Sequence, residues 1–199
     1  MTYGELTSRL AAAGRGEKGG GYALAVPVAE EGELSLLFEV RSDALQTQPG
    51  EVCFPGGGVE PGETPEEAAL RELKEELGLS APLVELGRPL GRQGHQTGFF
   101  TDPFLVRLAP GWREAMRPSG AEVKETFTVP LDFFRRTPPE RYTCRLQTVP
   151  PTDFPYEKIG FPQGYPWREG RFEVPLWMWE GRPIWGLTAR VVQALVAAL

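Results

Sequence analysis

The sequence predicts an α/β fold in which a mixed sheet lies between two helices. Segments rich in apolar residues and bounded by turns, which are typical of strands, outnumber the helical segments. Helical periodicity is clear in only two long segments, a glutamate-rich one after Thr64 and a C-terminal one from about Leu187. With 199 residues, the chain is long enough for a substantial core, and we predict a single domain over residues 1–199.

The predicted strands follow from runs of apolar residues between glycine, proline and acidic turns. The first two form a hairpin through the turn at residues 30–32. A short helix at residues 2–13 is expected to precede them, ended by Gly14 and the glycines at 19–21. The strands are predicted at residues 22–28, 34–41, 51–54, 83–92, 99–108, 122–129, 142–149 and 172–179.

The glutamate-rich helix has complete end signals. Thr64 is a good N-cap, Pro65 suits the first helical position, and Glu67 completes a capping box. Gly78 is a natural C-terminal cap. A stripe of apolar residues should pack on the sheet, and the acids beside it should line a cleft. That stripe comprises Ala69, Leu70, Leu73 and Leu77.

Three glutamates crowd one turn of this helix. Glu72 faces both Glu75 and Glu76 at helical spacing, and like charges so placed repel by a few tenths of a kcal/mol, roughly. Arg71 lies beside them and can brace the cluster. One interpretation is an ordinary exposed helix with charge pairs four residues apart. The other is a cradle for a divalent cation, which would relieve the repulsion.

Composition narrows the choice of ligand. The net charge is −6 and Lys and Arg form no dense basic stripe, which argues against nucleic acid as a partner. One histidine and two cysteines cannot build a His/Cys zinc site, so Mg²⁺ or Mn²⁺ is the plausible metal. Without a signal-like start or a long apolar run, we expect a cytoplasmic protein with no membrane partner and reduced cysteines.

The spacing of Gly57, Glu63, Arg71, Glu72, Glu75, Glu76 and Gly78 resembles the signature of Nudix hydrolases. The resemblance implies an α/β/α sandwich and metal-dependent hydrolysis of a diphosphate bond in a nucleoside diphosphate linked to another group. It implies that the Gly57 carbonyl joins Glu72, Glu75 and Glu76 as a metal ligand. It also implies that Glu63 pairs with Arg71 to hold the loop against the helix, and that Arg71 supports catalysis.

The flanks of this signature resemble the coenzyme A diphosphatases of the same family. The likeness lies in residues 37–42, 49–57, 122–131 and 184–189. It implies hydrolysis of coenzyme A or acyl-coenzyme A to 4'-phosphopantetheine, free or acylated, and adenosine 3',5'-bisphosphate. It places Arg41, Phe54, Gly56 and Gly57 at the substrate, with Arg41 as the candidate partner of the 3'-phosphate.

Several alternatives stay open at this stage. Glu72 and Glu122 are both candidates for the general base, Glu122 is a candidate further metal ligand, and Glu125 is its nearest competitor. ADP-ribose, a dinucleotide or a nucleoside triphosphate is the alternative substrate, and a non-catalytic nucleotide sensor is the alternative class.

The late aromatic residues indicate core or dimer packing, or a surface for the adenine or the pantetheine arm. A homodimer is suggested only by them and by the resemblance. They are Phe161, Tyr165, Trp167, Trp177, Trp179 and Trp185.

Overall fold

The protein is described by a computed structural model that covers residues 1–10, 21–95 and 98–199. The strands are β1 (Tyr22–Glu31), β2 (Glu33–Arg41), β3 (Val52–Cys53), β4 (Gly56–Gly58), β5 (Val84–Pro89), β6 (Gln93–Gly94), β7 (Phe100–Leu108), β8 (Val123–Pro130), β9 (Glu140–Leu146), β10 (Gly170–Trp179) and β11 (Arg182–Trp185). The helices are α1 (Tyr3–Arg9), α2 (Pro65–Leu77), α3 (Trp112–Ala115), α4 (Leu131–Arg136) and α5 (Gly186–Ala197).

The central sheet is mixed, as predicted. Its strand order is β3-β2-β1-β7-β5, with β8 also paired to β2, β4 to β1 and β6 to β7. β1 and β7 run parallel, whereas the predicted β1–β2 hairpin and the remaining pairs are antiparallel. The N-terminal ends of β1 and β7 therefore lie side by side with β4 and β6, and they form one end of the sheet.

The last three strands form a second sheet that is separate from the central one. β9, β10 and β11 form a three-stranded antiparallel sheet of their own. The sequence analysis predicted one sheet and missed this second one, because alternation of apolar residues identifies a strand but not the strand it pairs with. The tight β10–β11 turn, with positive φ at Glu180 and Gly181, keeps these strands paired locally.

Helices cover both faces of the central sheet, as expected for an α/β/α arrangement. On one face α2 buries Ala68, Ala69, Leu73 and Leu77 against alternate residues of β1, β2 and β7. On the other face α1, α4 and α5 pack together with Val26, Val28, Leu36 and Phe38. The sheet thus holds the glutamate-rich helix at a fixed height above β4.

Two helix predictions need correction. In α2, Leu70 is only half-buried and Ala68 takes its place in the core. In α5, the expected four-residue repeat of Leu187, Val191, Leu195 and Leu199 holds only for its middle pair, because Thr188, Ala189 and Val192 supply the rest of the buried face. Neither change alters which face each helix buries.

The N-terminal helix spans Tyr3–Arg9 and begins with a capping box at Thr2. The predicted continuation to residue 13 and the glycines expected to end it at 14 and 19–20 lie outside the described residues. Within the described part of the chain, no helix is long and apolar enough to cross a membrane. Cys53 and Cys144 are free, which agrees with the expectation of reduced thiols.

Candidate active site

The end signals of α2 form as predicted. The Thr64 hydroxyl accepts from the Glu67 amide at 3.2 Å, and the Glu67 carboxylate accepts from the Thr64 amide at 2.8 Å. Gly78 has a left-handed φ of 69° and its amide bonds to the Lys74 carbonyl. The capped helix is therefore a defined platform for the glutamates on its flank.

The glycine segment before α2 forms a short strand that the sequence did not predict. β4 pairs with the start of β1, where Gly57 lies opposite Ala23. A Cβ on Gly56 would lie 2.4 Å from the Ala23 carbonyl oxygen, and a Cβ on Gly57 would lie 2.1 Å from Glu72 Oε1. A Cβ on Gly56 would collide with the backbone of β1, whereas a Cβ on Gly57 would displace the flexible end of Glu72.

Arg71 ties the loop to the helix. Its Nε and Nη2 donate to the two oxygens of Glu63 at 2.9 and 3.1 Å, and Nη2 also donates to the Gly58 carbonyl at 3.0 Å. Its Nη1 donates to Glu72 at 2.7 Å and to Glu75 at 3.1 Å. The structure thus contains the pair of Glu63 with Arg71 that the family resemblance implies. Arg71 also fixes the direction of the Glu72 carboxylate.

The three helix glutamates lie in different environments. Glu75 is exposed, whereas Glu76 is buried and accepts from the Gly56 amide at 2.9 Å. Burial, followed by the nearby Glu39, raises the pKa of Glu76 to about 9. Burial also raises the pKa of Glu72, against the opposing effect of Arg71. The cluster is therefore short of positive charge on its inner side.

Glu122 lies just before β8, whereas Glu125 lies within it. Glu125 is held by Arg182, whose Nε donates to it at 3.1 Å. Glu122 is exposed, its carbonyl accepts from the Ser42 amide at 2.7 Å, and its charge raises the pKa values of Glu72 and Glu76. Of the two candidates, Glu122 is therefore the one whose charge is found acting on Glu72 and Glu76.

Sequence reasoning missed two residues beneath this cluster, Glu39 and Cys53. Glu39 is 1% exposed, and the Cys53 thiol donates to its Oε1 at 3.4 Å. Burial is the main cause that raises the pKa of Glu39 to about 7, and the charges of Glu122 and Glu72 add to it. The available signal was the alternation in β2, which puts Glu39 on the same face as Leu37 and Arg41.

Arg41 and Phe54 differ in their access to a ligand. The Arg41 guanidinium is half-buried and donates to the Thr47 carbonyl at 3.2 and 3.3 Å. Among the described residues no carboxylate lies within ion-pair distance of it. Phe54 is 2% exposed and its ring stacks on Phe38 at 4.6 Å between centroids. The predicted contact between Phe54 and substrate has no support from this buried ring, which is a core residue here.

The late aromatic residues divide into core and surface groups. Trp177 is buried and donates to the Thr137 carbonyl at 2.7 Å, and Trp179 packs against Phe133. Phe161, Tyr165 and Trp167 contact one another in the segment between β9 and β10.

Trp185 is also at the surface, where it is 42% exposed and lines a cleft of about 330 Å³. Leu146, Phe172, Val174 and Leu187 line this cleft together with His95 and Arg190. The His95 ring stacks on Phe99 with centroids 4.3 Å apart.

The donor set fits a hard divalent cation. Glu72, Glu75, Glu76 and the backbone of Gly57 offer only oxygen, and the inner carboxylates crowd together with raised pKa values. Within residues 1–10, 21–95 and 98–199, no three Asp, Glu, His or Cys side chains are already gathered as a ligand group. Arg71 and the Gly56 amide hold the carboxylates instead, so a bound cation would compete with these contacts.

Fold and site together define an α/β protein with a cluster of carboxylates between a glycine strand and a capped helix. The chain belongs to the Nudix family, since the NUDIX domain family model matches residues 21–158. It is 39% identical over 135 residues to the peroxisomal coenzyme A diphosphatase NUDT7 of Mus musculus, covering 67% of this chain and 56% of that one. It is 30% identical over 179 residues to the mitochondrial coenzyme A diphosphatase NUDT8 of Homo sapiens, covering 86% of this chain and 66% of that one.

The matched region is thus about half to two thirds of the length of these relatives. Similar solved structures include an Ap4A hydrolase binary complex from C. elegans, with a TM-score of 0.47, 21% identity and coverage of 56% of this chain and 80% of that one. A MutT protein from Methanosarcina mazei Go1 has a TM-score of 0.44 and 26% identity, covering 56% of this chain and 76% of that one.

Proposed function

We propose that this protein is a Nudix diphosphatase that uses Mg²⁺ or Mn²⁺ to hydrolyse coenzyme A or its thioesters. The products are 4'-phosphopantetheine, free or acylated, and adenosine 3',5'-bisphosphate. The observation that carries the proposal is the contact of Gly57 with Glu72, braced by Arg71, which puts a backbone segment and a carboxylate cluster against each other.

Each residue of the site has a distinct task in this proposal. Glu72, Glu75, Glu76 and the Gly57 carbonyl hold the cation, with Glu122, just before β8, as a further candidate ligand. When bound, the cation neutralises the diphosphate and lowers the pKa of a water molecule. Gly56 and Gly57 carry no side chain, so the phosphates can approach the backbone there, and a Cβ on Gly57 would displace the end of Glu72.

Arg71 is a positioning residue. It binds Glu63, Gly58 and Glu72 at once, so it keeps the glycine strand and the helix at the spacing that the cation needs. The proton of the attacking water goes to Glu72 or to Glu122. Glu72 is the more confined, whereas the exposed side chain of Glu122 is free to turn toward the water.

Two features favour coenzyme A over a smaller diphosphate. Arg41 has a guanidinium with a carbonyl as its observed partner, which leaves its charge available for the 3'-phosphate. The cleft at Trp185 includes His95, which directly follows β6. β6 pairs with the start of β7, which lies beside the start of β1 and, through it, beside β4. The cleft therefore lies at the same end of the sheet as Gly58. This apolar cleft suits a pantetheine arm. Two relatives named coenzyme A diphosphatases add support.

A substrate comparison tests this proposal. Rates with coenzyme A, 3'-dephospho-coenzyme A and ADP-ribose should fall in that order under saturating Mn²⁺. Equal rates with all three would contradict selection of the 3'-phosphate and the arm. Faster turnover of ADP-ribose would favour the alternative substrate. Tight nucleotide binding with no product would favour a sensor. The cytoplasmic location and the homodimer stay predictions.

A further inference from the structure

Glu39 is a buried acid that the family resemblance does not assign to any task. It is 1% exposed, its Oε1 accepts the weak hydrogen bond from Cys53, and its Oε2 is fully buried with no hydrogen-bond partner among the described residues. A charged carboxylate taken out of water without a partner costs several kcal/mol, roughly. Such an oxygen therefore calls for a proton or a cation.

The position of Glu39 in the sheet places its side chain on the same face as the helix glutamates. In β2, Leu37 packs in the core beneath α2, whereas Leu36 and Phe38 pack in the core on the opposite face. Because side chains alternate along a strand, Glu39 belongs to the α2 face. Its neighbours in the ladder are Cys53 on β3, three residues before Gly56, and Thr126 on β8.

The charges that act on Glu39 are those of the site. Glu72 and Glu122 interact with it electrostatically, and Glu39 is the largest charge acting on Glu76. Arg41 is the cation that acts on Glu39, yet its hydrogen bonds go to the Thr47 carbonyl. Glu39 thus lies near carboxylates on α2 and just before β8, and among the described residues it makes no ion pair with a basic side chain.

We propose that Glu39 is a further carboxylate of the divalent-cation site, contributed from the central sheet, with its unpartnered Oε2 directed at the cation or its bound water. This inference deepens the proposed function, since it concerns the same cation. It gives the site a rigid inner wall, because a residue in the middle of a paired strand moves less than one on a helix flank. Cys53 then serves to orient the carboxylate through Oε1.

Direct measurement of Mn²⁺ binding, without substrate, tests this role. Glu39→Gln keeps the shape of the side chain and removes its charge. Glu33→Gln is the control, because it removes the same charge from the exposed first residue of the same strand. Free Mn²⁺ is measured by electron paramagnetic resonance during titration of each metal-free protein, and melting temperatures are recorded with and without Mn²⁺.

We expect Glu39→Gln to weaken Mn²⁺ affinity about 10- to 100-fold and to shrink the rise in melting temperature that Mn²⁺ causes. Glu33→Gln should match the wild-type protein in both. Folded Glu39→Gln with wild-type Mn²⁺ affinity would overturn the inference. If Glu39→Gln does not fold, Glu39→Asp retains the charge but withdraws the oxygen by one methylene, and wild-type affinity in that variant would overturn it equally.

The two proposals fail in different ways. A wild-type protein that binds Mn²⁺ through Glu39 but leaves coenzyme A intact contradicts the proposed function and supports this inference. A protein that cleaves coenzyme A while Glu39→Gln binds Mn²⁺ normally supports the function and overturns the inference.

Discussion

Gly57 lies directly against the carboxylate of Glu72: a Cβ at position 57 would be 2.1 Å from Glu72 Oε1. The flexible end of Glu72 is the atom that would have to move, so the backbone itself need not be disrupted. The space at Gly57 therefore determines where the Glu72 oxygen points.

Gly57→Ala should therefore displace Glu72 and lower both turnover and Mn²⁺ affinity, each by about tenfold or more. Gly58→Ala is the matched control, because a Cβ on Gly58 meets nothing within 4 Å. Mn²⁺ titration and steady-state kinetics check the pair. Equal behaviour of the two variants would show that this contact does not position Glu72.

Arg71→Lys should impair the site although it keeps the charge. A lysine ammonium cannot reproduce the bidentate contact with Glu63 while also reaching Gly58 and Glu72. We expect a lower melting temperature and a fall in kcat/KM of about 10- to 100-fold. Arg113→Lys, which alters the exposed pair with Glu31, should change neither. Wild-type kinetics in Arg71→Lys would contradict its bracing role.

Glu75→Gln and Glu76→Gln should each lower kcat by about 100-fold or more, since each removes a proposed ligand. Circular dichroism and melting should show that both stay folded. Because burial raises the pKa of Glu76 to about 9, folding near neutral pH without metal requires this carboxyl to take up a proton or to bury its charge. Glu76→Gln avoids both costs, so its metal-free form should be at least as stable as the wild-type protein. Glu125→Gln breaks a pair with Arg182 away from the cluster and should retain activity. Full turnover in Glu75→Gln or Glu76→Gln would contradict the assignment of that carboxylate as a cation ligand.

Arg41→Gln should raise the KM for coenzyme A and leave that for 3'-dephospho-coenzyme A unchanged. A charge-assisted hydrogen bond contributes about 1.5–3 kcal/mol, so the rise in KM should be about tenfold or more. The dephosphorylated substrate is the internal control, since it lacks only the group that Arg41 is proposed to bind. An equal rise in KM for both substrates would contradict recognition of the 3'-phosphate by Arg41 and would indicate that Arg41 stabilises the loop instead.

Local signals in the sequence predicted the site better than the surrounding architecture. Thr64, Glu67 and Gly78 define α2 through contacts within a few residues, and these contacts are present. The pair of Glu63 with Arg71 followed from the family signature and is also present. Both depend on neighbours that are close along the chain.

Features that depend on distant partners were missed. Glu76 looks like an exposed helix acid in sequence, and its burial follows from β4 packing beneath it. Glu39 looks like the polar member of an alternating strand, yet it is 1% exposed on the face of the sheet against which α2 packs. The separation of β9–β11 into a second sheet also depends on pairing, which periodicity does not encode.

The measurement that tests the central claim most directly is identification of the products from coenzyme A with Mg²⁺ or Mn²⁺. We expect adenosine 3',5'-bisphosphate and 4'-phosphopantetheine in equal amounts by mass spectrometry from the wild-type protein, and their formation about 100-fold or more slower with Glu76→Gln. Intact coenzyme A after prolonged incubation with Mn²⁺-loaded wild-type protein, while ADP-ribose is cleaved, would contradict it.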